Sequence, residues 1–217
     1  MLEELYEQAK LECVNPQAYC NALQRRYPAK ELEKLLYDPD GRHKEKFKRI
    51  MAGNTTDTNE IRKLDKDYTG FITHALMFVP ALNDLGHETK QHIVCTPLSF
   101  ASLSEVTFRI IYSFHELQHV RDNFHGLCLP NGRIIAQEEI DTTPFLEIVV
   151  YHIMEIRALN NELNAYKKHG YKDDIDTTKT FIKKEIRKLR MLFKQRLADL
   201  PRDDLRVLAA TKYLEYK

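Results

Sequence analysis

Two histidines and a glutamate lie within five consecutive residues, His115, Glu116 and His119, in the order His-Glu-Leu-Gln-His. On an α-helix, residues four apart lie on the same face, so both imidazoles can reach one cation. Histidine nitrogens bind zinc at about 2.0 to 2.1 Å, and zinc is therefore the expected ion. The spacing predicts a metal site formed by His115 and His119, provided that the segment is helical.

Glu116 follows His115 by one residue, so its carboxylate is rotated away from the metal-binding face but stays near it. From there it can take a proton from a water molecule held by the metal as the oxygen attacks a carbonyl carbon. The proton can then pass to a leaving amine. Glu116 is accordingly the predicted general base, and the pattern predicts hydrolysis of a peptide or similar amide bond.

The residues around the motif predict the helix that it needs. Ser102 or Ser104, followed by Glu105, can cap the start of this helix. Apolar side chains then recur at the three- and four-residue spacing of a buried face, at Leu103, Val106, Ile110, Phe114 and Leu117. The helical pattern fades near Phe124. The motif therefore lies inside a segment that is independently predicted to be helical.

The neighbouring segments predict a small sheet and further helices. Strand-favouring residues over 71–79 and 92–98 predict the sheet, and the unbroken segment from 144 to 168 predicts a long second helix ended by Gly170. A third helix is expected from a cap near Asp176 to Leu197, and a last one from Pro201. In the first third, short helices are expected over 2–13, 18–28 and 32–36, with weaker ones over 42–51 and 60–67 and a loop over 53–59.

The motif and its surroundings resemble the zincin metallopeptidases, whose core is a small sheet, a His-Glu-x-x-His helix and a further helix. The resemblance covers roughly residues 70 to 168. The expected fold is thus α+β and predominantly α-helical, as a single domain over residues 1–217. Within it we expect an N-terminal helical region over 1–68, a zincin-like metal-binding core over 69–168 and C-terminal helices over 169–217.

The resemblance also implies a third protein ligand, with the fourth zinc position left to water. In gluzincin-like enzymes this ligand is a glutamate on the following helix, often with a small residue three positions later. Glu155, 36 residues after His119 and followed by Ala158, fits that pattern, whereas Glu147 and Glu162 on the same helix are less favoured. We therefore expect the metal ligands His115, His119 and Glu155.

The metzincin-like branch offers an alternative third ligand. Its longer motif places a histidine at the position of His125, but it has a glycine where this chain has Asp122. That glycine lets the backbone turn sharply out of the helix, which an aspartate does at some cost. His125 is accordingly the less favoured alternative.

Other residues are candidates for supporting roles. Tyr151, His152, Arg157 and Tyr166 on the second helix could donate to the negative charge that develops on the attacked oxygen. Tyr151 and His152 are preferred because they lie one turn before Glu155. A metal-bound imidazole usually donates its other N–H to a carboxylate or carbonyl. Asp122, Asp141 and Glu147 are the candidates for that contact.

Composition limits the partners. The chain has 217 residues and a formal net charge of +1, which gives no general attraction to nucleic acid or to anionic membranes. A basic run over 183–196 alternates with an apolar stripe and is interpreted as the solvated face of a helix. The expected partner is a peptide or protein substrate, with no nucleic acid and no membrane.

The first residues, the apolar runs and the cysteines bear on the location of the protein. The first residues lack the basic and apolar regions of a secretory signal, and no apolar run approaches the roughly 20 residues of a membrane span. A cytoplasmic location is therefore expected. The four cysteines are scattered, form no Cys-x-x-Cys pair and are expected to be reduced and mostly buried.

An alternative function belongs to a different class. A binding or interaction protein could keep the zincin shape without catalysis. That hypothesis predicts that replacing Glu116 leaves every activity intact, whereas a peptidase loses turnover and keeps its metal.

Overall fold

The computed structural model describes residues 1–12, 16–39, 77–82, 88–129, 132–135 and 137–214. The first elements along the chain are α1 (Leu2–Glu12), α2 (Pro16–Arg26), β1 (Leu32–Tyr37), β2 (Met77–Leu82), β3 (Glu88–Cys95) and α3 (Pro97–Ser102). The next are α4 (Glu105–Ile110), a π-helical segment (Ile111–Glu116), α5 (Leu117–His125), β4 (Leu127–Cys128) and β5 (Ile134–Ile135). The last are α6 (Gln137–Thr142), α7 (Leu146–His169), α8 (Lys172–Leu192), a second π-helical segment (Phe193–Leu197) and α9 (Leu205–Leu214).

The chain divides into two compact units, Met1–Leu117 and Gln118–Lys217. Most described residues are helical and a small sheet is present, so the expected α+β, predominantly helical class is confirmed. The finer expectation of a zincin-like core stays a prediction, as does the subdivision at residues 68 and 168. No helix among the described residues combines the length and apolar character needed to cross a bilayer.

The first unit is organised around a three-stranded sheet in the order β1-β3-β2. β1 pairs with β3 in parallel, and β2 pairs with β3 in antiparallel fashion. Four buried aromatic rings pack together beside it, with centroids 5.0 to 5.8 Å apart, at Tyr6, Tyr19, Phe100 and Phe108. Aromatic side chains bury a large apolar area each, so this cluster supplies much of the unit's core.

The expected helix over residues 32–36 is wrong, because this segment is strand β1. One edge of the strand pairs with β3, and glutamines of α2 bind the backbone of the strand. Gln17 accepts from the Tyr37 N–H at 2.9 Å and donates to the Leu35 carbonyl, and Gln24 accepts from the Leu35 N–H at 3.0 Å. These nonlocal hydrogen bonds satisfy the backbone of an edge strand and outweigh the helix-like spacing of its leucines.

Other sheet expectations are confirmed with shifted bounds. Strands are present at Met77–Leu82 and Glu88–Cys95. The second strand ends earlier than expected because Thr96 is the N-cap of a helix, Pro97–Ser102, in which Pro97 is the first residue. Several expected elements lie outside the described residues: the helices over 42–51 and 60–67, the loop over 53–59 and the part of a strand over 71–76.

Cys20 and Cys95 are free and fully buried, whereas Cys128 is exposed and Cys13 lies outside the described residues.

The second unit has a core formed mainly by the long helix α7 and by α8, which runs back from it after a short turn. Their buried apolar side chains include Ile153, Leu159, Ile182 and Leu189. Gly170 ends α7 in the left-handed conformation, with φ of 78°, as its position in the sequence predicts.

Two expected helix starts in the second unit are wrong by about one turn. The helix expected near Asp176 begins at Lys172. The helix expected from Pro201 begins at Leu205, since the Asp204 carboxylate accepts from the Arg206 N–H at 2.9 Å and so caps the first turn there.

The helix that carries the motif is continuous from Glu105 to His125 and is called the motif helix below. Ser104 caps it, accepting from the Thr107 N–H at 3.1 Å, which confirms the expected start. It ends at Gly126, which has φ of 77°. A Cβ at Gly126 would lie 2.5 Å from the Ile135 carbonyl oxygen and 2.6 Å from Ile134 Cγ2, so any other residue here would force its neighbours to shift.

We predict that Gly126→Ala lowers the free energy of unfolding by about 2–4 kcal/mol, because it adds a steric clash to the cost of a left-handed alanine. Gly170→Ala is the matched control: φ is 78° and no atom lies within 4 Å of the added Cβ. The control should cost about 1–2 kcal/mol. Urea unfolding followed by circular dichroism measures both. Equal losses for the two variants would contradict the packing described at Gly126.

Candidate metal centre

The local geometry of the motif helix is unusual. Residues Ile111–Glu116 are π-helical, and the Leu117 N–H donates to the Tyr112 carbonyl five residues earlier. His115 and Glu116 lie in this segment, and His119 lies in the regular α-helix that follows. Single π-helical turns occur mostly inside α-helices and frequently at functional sites. The sequence carries no signal for this segment.

His115, His119 and Glu155 come together as a group able to hold a metal ion. One ligand atom from each lies within 4.8 Å of the others, and all three residues are buried, with exposed fractions of 7%, 9% and 7%. His119 Nε2 lies 3.3 Å from Glu155 Oε1. Two ligands on one tetrahedral zinc are about 3.4 Å apart when each bond is about 2.1 Å. The observed separation therefore suits two ligands of the same ion.

Two structural relations produce this group. His115 and His119 are one turn apart on the motif helix, so the local helix places both imidazoles. Glu155 lies on α7, a helix that is buried over most of its length, and its carboxylate lies beside His119. A divalent cation would compensate the charge of this buried carboxylate. The donor set of two imidazoles and one carboxylate fits zinc and also other transition metals.

The other expected site residues lie as follows. Glu116 is buried, with 5% of its surface exposed, immediately after the first histidine. His125 is exposed in the last turn of the motif helix, which continues through Asp122 without the sharp turn of the metzincin-like motif. Glu162 accepts from the Thr178 hydroxyl at 3.1 Å, and Glu147 is exposed in the first turn of α7. Among the described residues, the group able to hold a metal ion thus contains Glu155 and not His125.

Tyr151 and His152 are half-buried and pack edge to face, with ring centroids 5.3 Å apart. His152 Nδ1 lies 2.8 Å from Oε2 of Glu185 on α8, and Lys188 Nζ lies 3.0 Å from Oε1 of the same carboxylate. Burial alone raises the pKa of Glu185, but the hydrogen bonds from His152 and Lys188 outweigh it and lower that pKa. Sequence reasoning missed Glu185, since 33 residues separate it from His152.

A second network missed by sequence reasoning surrounds Asp122, which was a candidate partner of a metal-bound imidazole. Asp122 Oδ1 accepts from Gln118 at 2.7 Å and lies 3.1 Å from Arg157 Nη2. Asn161 donates to Gln118 Oε1 at 2.9 Å. Burial raises the pKa of Asp122 against the opposing effect of Arg157. These four side chains join α5 to α7 directly beside His119 and Glu155. Of the other two candidates, Glu147 is exposed, and the side chain of Asp141 lies outside the described part of the chain.

The contact of His152 with Glu185 yields a prediction about pH. Because the folded protein lowers the pKa of Glu185, this carboxylate stabilises the fold at pH values above its unfolded pKa, and the contribution is lost as the pH falls through the folded pKa. Glu185→Gln should therefore lower the free energy of unfolding by about 1–3 kcal/mol at pH 7 and by progressively less below about pH 4.5.

Urea unfolding at a series of pH values measures the difference between the parent and Glu185→Gln. Glu3→Gln, which changes an exposed glutamate of α1, is the control and should show no pH-dependent difference. A constant deficit of Glu185→Gln from pH 7 to pH 3 would contradict the charged contact.

Comparison with known proteins identifies no relative. No protein-family model, no curated protein and no solved structure matches this chain. The functional interpretation therefore depends on the chemistry and arrangement of the chain's own residues.

Proposed function

We propose that this protein is a zinc-dependent metallopeptidase in which His115, His119 and Glu155 bind the ion and Glu116 is the general base. The observation that carries the proposal is the convergence of three buried ligand atoms within 4.8 Å of one another, beside the glutamate of a His-Glu-x-x-His motif. The substrate is a peptide or protein.

The composition of the group favours catalysis over a structural zinc site. Structural zinc usually has four protein ligands, whereas catalytic zinc has three and leaves one position to water or substrate. The group found among the described residues has three. Zinc bound there would polarise the scissile carbonyl and lower the pKa of water, which is the chemistry that amide hydrolysis needs.

The protein's own side chains perform the remaining steps. Glu116 takes the proton of the attacking water and delivers it to the leaving amine. His152 lies three residues before Glu155 on α7. We therefore propose that His152 and Tyr151 donate hydrogen bonds to the negative charge that develops on the attacked oxygen. His152 Nδ1 contacts Glu185, so Nε2 is the ring nitrogen that we assign to the substrate.

The rival interpretation is a catalytically inactive, zincin-like binding protein. It accounts equally well for the metal-binding residues. We favour the peptidase because the motif places Glu116 directly after His115, where its carboxylate can act as the general base.

The first prediction of the proposal concerns metal content. Protein purified without an affinity tag should contain about one zinc per chain by inductively coupled plasma mass spectrometry, because three preorganised ligands bind zinc tightly. His119→Ala and Glu155→Gln should lose most of it. His125→Ala, which changes an exposed histidine on the same helix, is the control and should keep it.

Circular dichroism shows whether each of these variants is folded, and only folded variants are compared. After chelation, zinc, cobalt and nickel are returned separately to the parent to establish which ion the site prefers. Full zinc content in a folded Glu155→Gln, with loss in His125→Ala, would move the third ligand to His125 and contradict the ligand set proposed here.

The second prediction separates catalysis from binding. Glu116→Gln should keep its zinc while hydrolysis of quenched fluorescent peptides falls by at least about 10²-fold, because the amide cannot accept the proton. A pool of randomised peptides is used, and cleavage is detected by fluorescence and mass spectrometry. Zinc-loaded parent protein that cleaves no peptide, or cleaves them as fast as Glu116→Gln does, would favour the inactive rival.

A further inference from the structure

A polar cavity of about 460 Å³ lies in the second unit, beside the residues that bear the metal ligands. Leu163 contributes to it, and its polar lining consists of Gln118, Arg157, Asn160, Asn161, Asn164 and Lys167. Gln118 immediately precedes His119, and Arg157 is two residues after Glu155. The cavity therefore begins where α5 and α7 carry the proposed ligands.

The lining residues of α7 form one continuous face. They occur at positions 157, 160, 161, 164 and 167, which is the three- and four-residue spacing of a single helical face. Arg157 and Lys167 are ten residues apart, about 15 Å along the axis at about 1.5 Å per residue. An extended peptide covers that length with four to five residues, at about 3.3 Å each. The cavity is thus a groove with the length of a short peptide segment.

The groove is lined with side-chain amides. The amides of Asn161 and Gln118 are held in place, since Asn161 donates to Gln118 and Gln118 donates to Asp122. Asn160 donates to the Ile156 carbonyl of its own helix at 2.8 Å, so its amide is also oriented. Asn164 is exposed. A side-chain amide offers both a donor and an acceptor, as a peptide unit does, so this lining suits an extended main chain.

The charge of the groove is positive. Arg157 and Lys167 line it, and no carboxylate does so among the described residues. Asp122 is only 5% exposed, and it contacts Arg157 through one guanidinium nitrogen. The other N–H groups of this guanidinium can bind a second acceptor. A ligand with negative charge is therefore preferred.

We propose that this groove binds an extended, acidic segment of the peptide substrate. The amides of Gln118 and the asparagines bind its main chain, and Arg157 and Lys167 bind its carboxylates, which come from acidic side chains or from the C-terminus. The proposal rests on the proposed function only for the assignment of a peptide as the ligand. It adds a substrate class, peptides that carry acidic residues on one side of the scissile bond.

Direct binding tests this proposal independently of hydrolysis. The zinc-loaded Glu116→Gln variant is titrated, by fluorescence polarisation, into a labelled hexapeptide rich in Asp and Glu and into its Asn and Gln counterpart. The acidic peptide should bind about tenfold more tightly in low salt, and 0.5 M salt should reduce the preference. Adding Lys167→Glu should weaken binding of the acidic peptide by about fivefold, because it reverses a charge in the groove.

Lys183→Glu is the matched control, because Lys183 is an exposed lysine of α8 that does not line the groove; it should leave binding unchanged. Equal affinity for the two peptides, or equal effects of the two lysine changes, would overturn the proposal. An RNA oligonucleotide that binds more tightly than the acidic peptide, with the same sensitivity to Lys167→Glu, would overturn the assignment of a peptide ligand.

The outcomes also separate this proposal from the proposed function. Peptide cleavage by the parent without preference for acidic sequences, and without effect of Lys167→Glu on KM, would overturn the groove assignment and leave the peptidase intact. Tight, Lys167-dependent binding of the acidic peptide with no cleavage by the parent would support the groove and overturn the peptidase.

Discussion

The candidate metal centre depends on the buried contact between His119 and Glu155. A carboxylate and an imidazole lie 3.3 Å apart in a place that excludes most water, where each group loses its hydration. Such a contact persists only if surrounding structure fixes it and if the charge is compensated. The buried apolar side chains of α7, which include Ile153, Ile156 and Leu159, supply the first condition, because they fix the helix that carries Glu155.

The network around Asp122 reinforces that arrangement. Its contact with Arg157, and the hydrogen bond of Gln118 with Asn161, join α5 to α7, the two helices that carry His119 and Glu155. The two helices therefore share several polar contacts with defined geometry, and sliding one along the other would break them together. A ligand set needs this kind of support, because side chains displaced by about 1 Å no longer bind an ion well.

The sequence predicts what local chemistry determines. The Ser104 cap, the periodicity of the motif helix and the end of α7 at Gly170 each depend on residues within a few turns, and each is confirmed. β1 was mispredicted because glutamines of α2 and pairing with β3 decide its conformation, and Glu185 was missed because tertiary packing brings it to His152. The π-helical segment has no compositional signature.

The third ligand could not be chosen from the sequence alone. Glu147, Glu155 and Glu162 occupy similar positions in the sequence of one helix, and the packing of α7 determines that only Glu155 joins the histidines.

Two imidazole–carboxylate contacts occur along α7, and their difference bears on the need for a metal. At Glu185 the carboxylate meets His152 and the ammonium of Lys188, so a hydrogen bond with the imidazole and a fixed cation stabilise its charge. At Glu155 the carboxylate meets His119 within a group that also includes His115. A proton can bridge two of these three atoms, whereas a divalent cation would be attracted to all three at once. The same helix thus holds one carboxylate stabilised by a hydrogen bond and a lysine, and one grouped with two imidazoles as an ion would require.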